Sequence, residues 1–390
     1  MDVRIDPHRL HGAVTPPPSK SMAHRAVLAL MLSDGEGVIS NLDSSQDIQA
    51  TKRCVEALKA PRSAGDVPRL DCGESGSTLR FVIPIALALR GGGVFTGRGR
   101  LMERPQQPYF DIFDEKGIFY EQKDGILTVQ GTLTPGLYRL PGNVSSQFVT
   151  GLLYALPLLS GDSLIQITTP LESSGYVDMT LDMLKAFGVT VEHDNYEIFR
   201  IPGNQVYHAR NITIESDWSQ AGFWYAANFL DNHVSIQGLN ADSTQGDRVM
   251  ASLYRKLAKP GDVDIDVSGC PDLLPPLAVM AAVRNGTTHF INAARLRIKE
   301  SDRLATTAAL LNRLGSSAED GPDSLTVRGI PSFSGGTVDG ANDHRIVMAA
   351  AIAATRADAP LTILGAEAVN KSYPSFWDDY KRLGGVFDVL

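Results

Sequence analysis

At 390 residues, 43% of them hydrophobic and 21% charged, the chain outgrows a single hydrophobic core, so two domains are expected. Its formal net charge of -8 excludes general nucleic-acid binding, which needs a basic footprint, and means that any anionic ligand must be met by local cations. Cys54, Cys72 and Cys270 are odd in number and form no CxxC pair, which argues against both a disulfide framework and a zinc site.

In chain order, one phrase recurs six times: a polar or small start, an apolar helix, a Gly or Asp turn and a β-branched strand. The copies run over 20–39, 76–95, 145–167, 217–236, 271–290 and 343–363, and their apolar spacing predicts buried helices. A second helix type alternates with the first and ends on a glycine cap, as in LDMLKAFGVTVE, LLNRLGSSAE and DYKRLGGVFDV. Three phrases with turn residues at their centre, IFYEQKDGILTVQG, VTVEHDNYEIFRIPG and SSAEDGPDSLTVRG, predict β-hairpins. The unit is therefore strand, helix, strand, helix and hairpin, and six units group as three plus three. The expected organisation is two α/β domains, one from residues 20–215 and one from 216–390 joined by the returning segment 1–19. The longest apolar runs, such as Phe81 to Leu89, are about half of the roughly 20 residues a membrane span needs. With a start, MDVRIDPHRL, that lacks a signal-peptide pattern, the expectation is a cytoplasmic protein with no membrane and no nucleic-acid partner.

The predicted helix starts are rich in groups that suit anions, and a helix N-terminus adds free N–H donors and the positive end of its dipole. They carry Ser19-Lys20-Ser21, Gly73-Glu74-Ser75-Gly76-Ser77, Ser145-Ser146-Gln147 and Asp343-His344-Arg345. Each has a plainer reading. Lys20 and Arg25 suit a solvated helix edge, the Ser145 group suits simple N-capping, and RIKESDRL (297–304) suits a charged capping turn. His344 suits a satisfied structural histidine. The helix after Asp343-His344-Arg345 is so apolar that it must be buried, and charges at its start need partners or a ligand. Arg104, Arg303 and Arg345 are candidate clamps for carboxylate or phosphate through their bidentate forks, with Lys371 beside them. No P-loop, GxGxxG, HExxH or GxSxG stands in the sequence, which removes support for nucleotide hydrolysis, NAD chemistry and metalloproteolysis. The 8 histidines are scattered, so a metal cage is not expected.

Taken together, PPPSKSMAHRA, GESGSTLRF, ERPQQP, SSQFVTGLL, SSGYVDMT, PDLLPPLAV, RIKESDRL, DHRIVMAAA and NKSYPSFWDDYKRLGG resemble the 5-enolpyruvylshikimate-3-phosphate synthases, an enolpyruvyl transferase family. The resemblance runs in order from about Lys20 to the C-terminus. It implies a two-domain inside-out α/β barrel with three βαβαββ repeats per domain, which closes on its substrates in the interdomain cleft. It further implies transfer of the enolpyruvyl group of phosphoenolpyruvate to the 5-hydroxyl of shikimate 3-phosphate, a step toward chorismate and the aromatic amino acids. No metal or organic cofactor is expected, and the chain is expected to be a monomer.

Residue by residue, the resemblance assigns Lys20, Ser21, Arg25, Ser145, Ser146, Ser173, Tyr176, Asp272 and Lys299 to shikimate 3-phosphate, with Gln147 between both substrates. The phosphate of phosphoenolpyruvate falls to Lys20, Gly76, Arg104 and Gln147, and its carboxylate to Arg303, Arg345 and Lys371. Asp272 is the implied base, with Glu300 and Lys20 as proton donors and relays. Two positions depart from the family pattern. Glu74 replaces an asparagine near the phosphate and would have to be protonated or turn toward Arg80 or Arg104, and Arg295 stands where some relatives place an asparagine on the shikimate phosphate. The sister enolpyruvyl transferase acting on UDP-N-acetylglucosamine is disfavoured, because its reactive cysteine has no counterpart in Leu101 to Pro108.

Overall fold

A computed structural model defines residues 1–61, 63 and 66–390. The chain divides into two compact units, Lys20–Ile214 and Met1–Ser19 with Glu215–Leu390. Each has its own hydrophobic core.

In the unit Lys20–Ile214, two stretches form complete βαβαββ repeats. Strand Arg69–Asp71, helix Gly76–Arg90, strand Gly92–Thr96, helix Gln107–Lys116 and the hairpin Phe119–Lys123/Ile126–Gln130 make one four-stranded sheet. Its first two strands are parallel and the hairpin adds antiparallel strands. Strand Gly136–Leu140, helix Ser146–Ala155, strand Ser163–Ile167, helix Ser174–Ala186 and the hairpin Glu192–Asp194/Ile198–Ile201 repeat the pattern. The first hairpin turns on Asp124 and Gly125, both at positive φ, the backbone that a two-residue turn between right-twisted strands requires.

The third repeat of this unit is reduced. After the helix Lys20–Leu32, Ser33–Asp34 and Ile39–Ser40 are two-residue strands, paired in parallel with Tyr207–His208 and Ile212–Thr213 from the far end of the unit. The polar turn DGEG between them leaves no run long enough for a hairpin, so the partner strands come from elsewhere in the chain.

The second unit follows the same plan. Strand Val263–Asp266, helix Leu274–Ala281, strand Thr287–Ile291, helix Arg303–Arg313 and the hairpin Ser317–Gly321/Ser324–Arg328 form one sheet. In the other, Gly336–Asp339 and Leu361–Leu364 run parallel across the helix His344–Ala354, and the N-terminal strand Val3–Asp6 lies between Leu361–Leu364 and Val386–Val389. The third repeat again keeps its helices, Trp218–Phe229 and Met250–Leu257, with strand His233–Ile236 paired to His11–Val14.

Burial follows the sequence pattern. All residues of the helices Leu274–Ala281 and His344–Ala354 are buried, as helices apolar on every face must be. Where helices Gly76–Arg90 and Ser146–Ala155 pack, a side chain at Gly151 would collide with the Arg80 carbonyl and the Tyr109 hydroxyl, so glycine permits the close approach. Among the described residues no helix is long and apolar enough to cross a membrane.

Candidate active site

In the unit Lys20–Ile214, the polar residues picked out at helix starts gather at the N-terminal ends of four helices, those beginning at Lys20, Gly76, Ser146 and Ser174. Ser75 caps the Gly76 helix by accepting from the Thr78 amide at 3.1 Å. Ser145 caps its helix by accepting from the Gln147 amide at 3.3 Å, so the capping reading of that serine holds. Ser146 and Ser173 are buried beside these ends, Ser173 in the left-handed backbone region at φ 56°.

Arg104 carries the clearest signal. Only 7% of it is exposed, and its side chain has no hydrogen-bond or ion-pair partner among the described residues. The guanidinium packs over the first residue of the Gly76 helix, where a Cβ would stand 2.6 Å from its Nη1. A buried cation without a counterion is costly. The positive end of the helix dipole adds to that local excess of positive charge. Gln147 completes the edge: its Oε1 accepts from Arg80 Nη1 at 2.8 Å, and its Nε2 donates to Ser77 Oγ at 2.9 Å.

Arg25 is held on neutral oxygens, with no carboxylate bonded to it among the described residues. It donates to Thr180 Oγ1 at 2.9 Å, to the Ser21 carbonyl at 2.6 Å, to the Tyr176 carbonyl at 2.7 Å and to Thr150 Oγ1 at 3.4 Å. Burial lowers its pKa to about 10, so it stays charged at neutral pH. Ser21 and Tyr176, which the resemblance assigns with Arg25 to one substrate, meet its guanidinium through their backbone oxygens. Lys20 is ion-paired with Asp47 at 2.7 Å, a partner the sequence does not reveal. His24, one turn on, is buried, and desolvation, with Lys20 and Arg25 adding to it, holds its pKa well below the ordinary value. It is therefore a neutral ring, bonded to Thr51 Oγ1 at 2.7 Å. The Glu74 carboxylate lies over Gly99, whose Cβ would meet Oε2 at 2.6 Å.

In the second unit Asp272, Lys299, Glu300, Arg303 and Arg345 join one bonded network. Arg303 is 1% exposed and donates to Asp343 Oδ2 at 2.8 Å, Asp272 Oδ1 at 2.8 Å and Glu300 Oε2 at 2.6 Å. Burial pulls its pKa down, but Asp343, Glu300 and Asp272 outweigh that and leave it raised. Arg345 Nη2 donates to Asp272 Oδ2 and its Nη1 to the Asp272 carbonyl, both at 3.0 Å. Lys299 Nζ stands 3.4 Å from Asp272 Oδ1. Burial, with Arg303 and Arg295 nearby, lowers the Lys299 pKa to about 8 against the pull of Asp272 and Glu300. Lys371 is buried and donates to the Asn342 carbonyl at 2.6 Å, next to Asp343 in the chain. Asp272 therefore meets three cations, Lys299, Arg303 and Arg345.

The rest of the RIKESDRL knot is structural. Asp302 caps the Arg303 helix by accepting from the Ala305 amide at 3.1 Å, and Arg297 bridges Asp302 and Asp320 at 2.7 and 2.8 Å. Arg295 is buried and donates to the Ser268 carbonyl at 2.6 Å. Sequence reasoning leaves Asp343 out of the site, yet it is fully buried and receives Arg303, the Ser301 hydroxyl at 3.0 Å and the Arg345 amide at 3.0 Å. The available signal is its place before an all-apolar helix. All three cysteines are buried, and the Cys72 thiol, hydrogen-bonded to Cys54 and desolvated, is pushed well up.

These arrangements can be set beside known proteins. A sequence profile described as EPSP synthase (3-phosphoshikimate 1-carboxyvinyltransferase) matches residues 5–380. A 3-phosphoshikimate 1-carboxyvinyltransferase of Clostridium kluyveri is 46% identical, with 99% of this chain and 98% of that protein covered. Its counterpart in Clostridium acetobutylicum is 44% identical over 98% and 97% of the two chains. Among solved structures, the EPSP synthase of Acinetobacter baumannii superposes with a TM-score of 0.79 over 99% of both chains at 23% identity. The enolpyruvyl transferase NikO of Streptomyces tendae gives the same TM-score at 17% identity over 99% and 98%, and both likenesses bear on the fold. With a profile spanning nearly its whole length and relatives above two-fifths identity end to end, this chain belongs to the EPSP synthase family.

Proposed function

We propose that the chain is a 3-phosphoshikimate 1-carboxyvinyltransferase, which moves the carboxyvinyl group of phosphoenolpyruvate onto the 5-hydroxyl of shikimate 3-phosphate and releases phosphate. The single observation that carries this reading, beyond family membership, is the buried Arg104 guanidinium over the start of the Gly76 helix, unpartnered among the described residues. It suits a phosphate that arrives with its substrate and departs as a leaving group.

In this reading Lys20, Gly76, Arg104 and Gln147 hold the phosphate of phosphoenolpyruvate, and Arg303, Arg345 and Lys371 hold its carboxylate. Ser21, Arg25, Ser145, Ser146, Ser173, Tyr176 and Lys299 bind shikimate 3-phosphate, and Arg25 suits its phosphate because no carboxylate competes there. Asp272 takes the proton of the 5-hydroxyl as that oxygen bonds to C2, while Glu300 or Lys20 delivers a proton to C3. In the second step C3 gives up a proton, the C2–O bond to phosphate breaks and the enol ether forms. Asp272 and Glu300 both contact Arg303, so one guanidinium fixes the two groups that handle protons.

The test is phosphate release by the purified protein from phosphoenolpyruvate with shikimate 3-phosphate, run beside UDP-N-acetylglucosamine as acceptor and beside Asp272→Asn. Release with shikimate 3-phosphate alone, lost in the variant, supports the reading. Silence with both acceptors, or release only with the nucleotide sugar, contradicts it.

A further inference from the structure

Arg80 is buried at 2% exposure, and although it stands inside GESGSTLRF, the sequence assigns it no substrate. It lies one turn into the Gly76 helix, and its contacts radiate to the parts of the proposed phosphate site. Nη1 donates to Gln147 Oε1 at 2.8 Å, and Nη2 donates to the Pro105 carbonyl at 3.1 Å, directly after Arg104. Its guanidinium lies 4.7 Å from the centre of the Phe148 ring, where the cation is attracted by the ring face and held in one plane.

The backbone of the same residue is recruited as well. Four residues later stands Pro84, inside the helix, which has no N–H to bond the Arg80 carbonyl. The freed carbonyl accepts from the Tyr109 hydroxyl at 2.7 Å. Tyr109 belongs to the helix that follows the Arg104 turn, and burial raises its pKa well above the ordinary value, so it remains a donor. Among the described residues, none bonds the Arg104 guanidinium to hold it in place; the segment that carries it is tied on one side by Arg80 Nη2 and on the other by Tyr109.

We infer that Arg80 is a positioning residue for the phosphoenolpyruvate phosphate: its fork sets the amide orientation of Gln147 and the place of the Arg104 turn, so that both side chains present donors to one anion. The orientation of Gln147 follows from chemistry. A guanidinium can only donate, so the atom facing it must be Oε1, which turns Nε2 toward Ser77 and the helix start. Lysine keeps the charge but lacks the rigid planar fork that spans both acceptors. The inference rests on the proposed reaction and adds to it a residue that touches no substrate.

The experiment compares the wild-type protein with Arg80→Lys and Arg80→Met in steady-state phosphate release, varying each substrate in turn, with thermal melting alongside. Arg80→Lys is expected to raise KM for phosphoenolpyruvate about tenfold, the loss of roughly one charge-assisted hydrogen bond. KM for shikimate 3-phosphate stays within about twofold, and the melting temperature of Arg80→Lys stays close to wild type. Arg80→Met raises the first KM further, and if it does not fold, Arg80→Lys decides. In a double-mutant cycle with Gln147→Ala the two effects are less than additive, because Arg80 acts through that amide. An unchanged KM for phosphoenolpyruvate in Arg80→Lys, additive effects in the cycle, or equal rises in both KM values with a falling melting temperature would overturn the inference while leaving the reaction standing. A wild-type protein that releases no phosphate overturns the reaction and this inference together.

Discussion

The candidate site arginines of the two units are held in opposite ways. In the unit Lys20–Ile214, Arg25 and Arg104 are buried with no carboxylate against them, Arg25 on neutral oxygens and Arg104 on nothing among the described residues. In the other unit, Arg303 and Arg345 are locked onto Asp272, Glu300 and Asp343. The difference teaches how each can work. Cations without a carboxylate favour an incoming anion, which in the proposed reaction suits the first unit to substrate affinity. Compensated cations hold carboxylates in fixed places, which in the proposed reaction suits the second unit to moving protons.

Substitutions can break this contrast, beginning with the largest expected effect. Asp272→Asn removes the proposed base and should lower kcat by about 10³-fold, the scale of a positioned acid–base group, with far less change in KM for phosphoenolpyruvate. Steady-state phosphate release checks it. Arg104→Ala removes a charged donor from a buried phosphate site and should raise KM for phosphoenolpyruvate about 30- to 100-fold. Because Arg104 strands no partner among the described residues, the melting temperature should hold, and calorimetric binding beside a melt tests both halves of that expectation.

Gly76→Ala sharpens the same point by geometry. The new methyl would sit 2.6 Å from Arg104 Nη1, which a flexible side-chain end can escape at little cost in stability. The guanidinium is pushed off the helix start, and KM for phosphoenolpyruvate should rise about tenfold with the melting curve unmoved. A matching loss of stability would mean that Arg104 is held more firmly than its contacts indicate.

The smallest effect is a pH dependence from Lys299. An unfolded lysine keeps its proton to about pH 10.4, whereas the folded group releases it near 8. Between those values the unfolded state binds more protons, so this group makes stability rise with pH across the window. Affinity for shikimate 3-phosphate should move the other way, weakening above pH 8 as the ammonium is lost. Lys299→Arg should carry its charge through the window and delay that loss, as binding titrations at several pH values would show.

Much of this architecture is legible in the amino-acid sequence, for definite reasons. The hairpins at 118–131, 189–203 and 316–329 follow from turn residues between β-branched runs and stand as antiparallel pairs. The polar helix starts follow from residue type and position, and the family resemblance adds their assignment to substrates. The partners that hold them are not legible. Asp47 lies 27 positions from Lys20, Gln147 lies 67 from Arg80 and Asp343 lies 40 from Arg303. Such pairs are set by helix packing, which leaves no local pattern. The two-residue strands at 33–34 and 39–40 are equally hidden, because so short a stretch has no period to detect.

One comparison tests the division of labour most directly: phosphate-release kinetics of Arg104→Ala and Asp272→Asn, each with phosphoenolpyruvate taken to saturation at fixed shikimate 3-phosphate. The account predicts that Arg104→Ala recovers most of its rate as phosphoenolpyruvate rises, while Asp272→Asn saturates normally at a rate that stays low. Recovery of Asp272→Asn at high phosphoenolpyruvate, or a permanently low ceiling in Arg104→Ala, would contradict it.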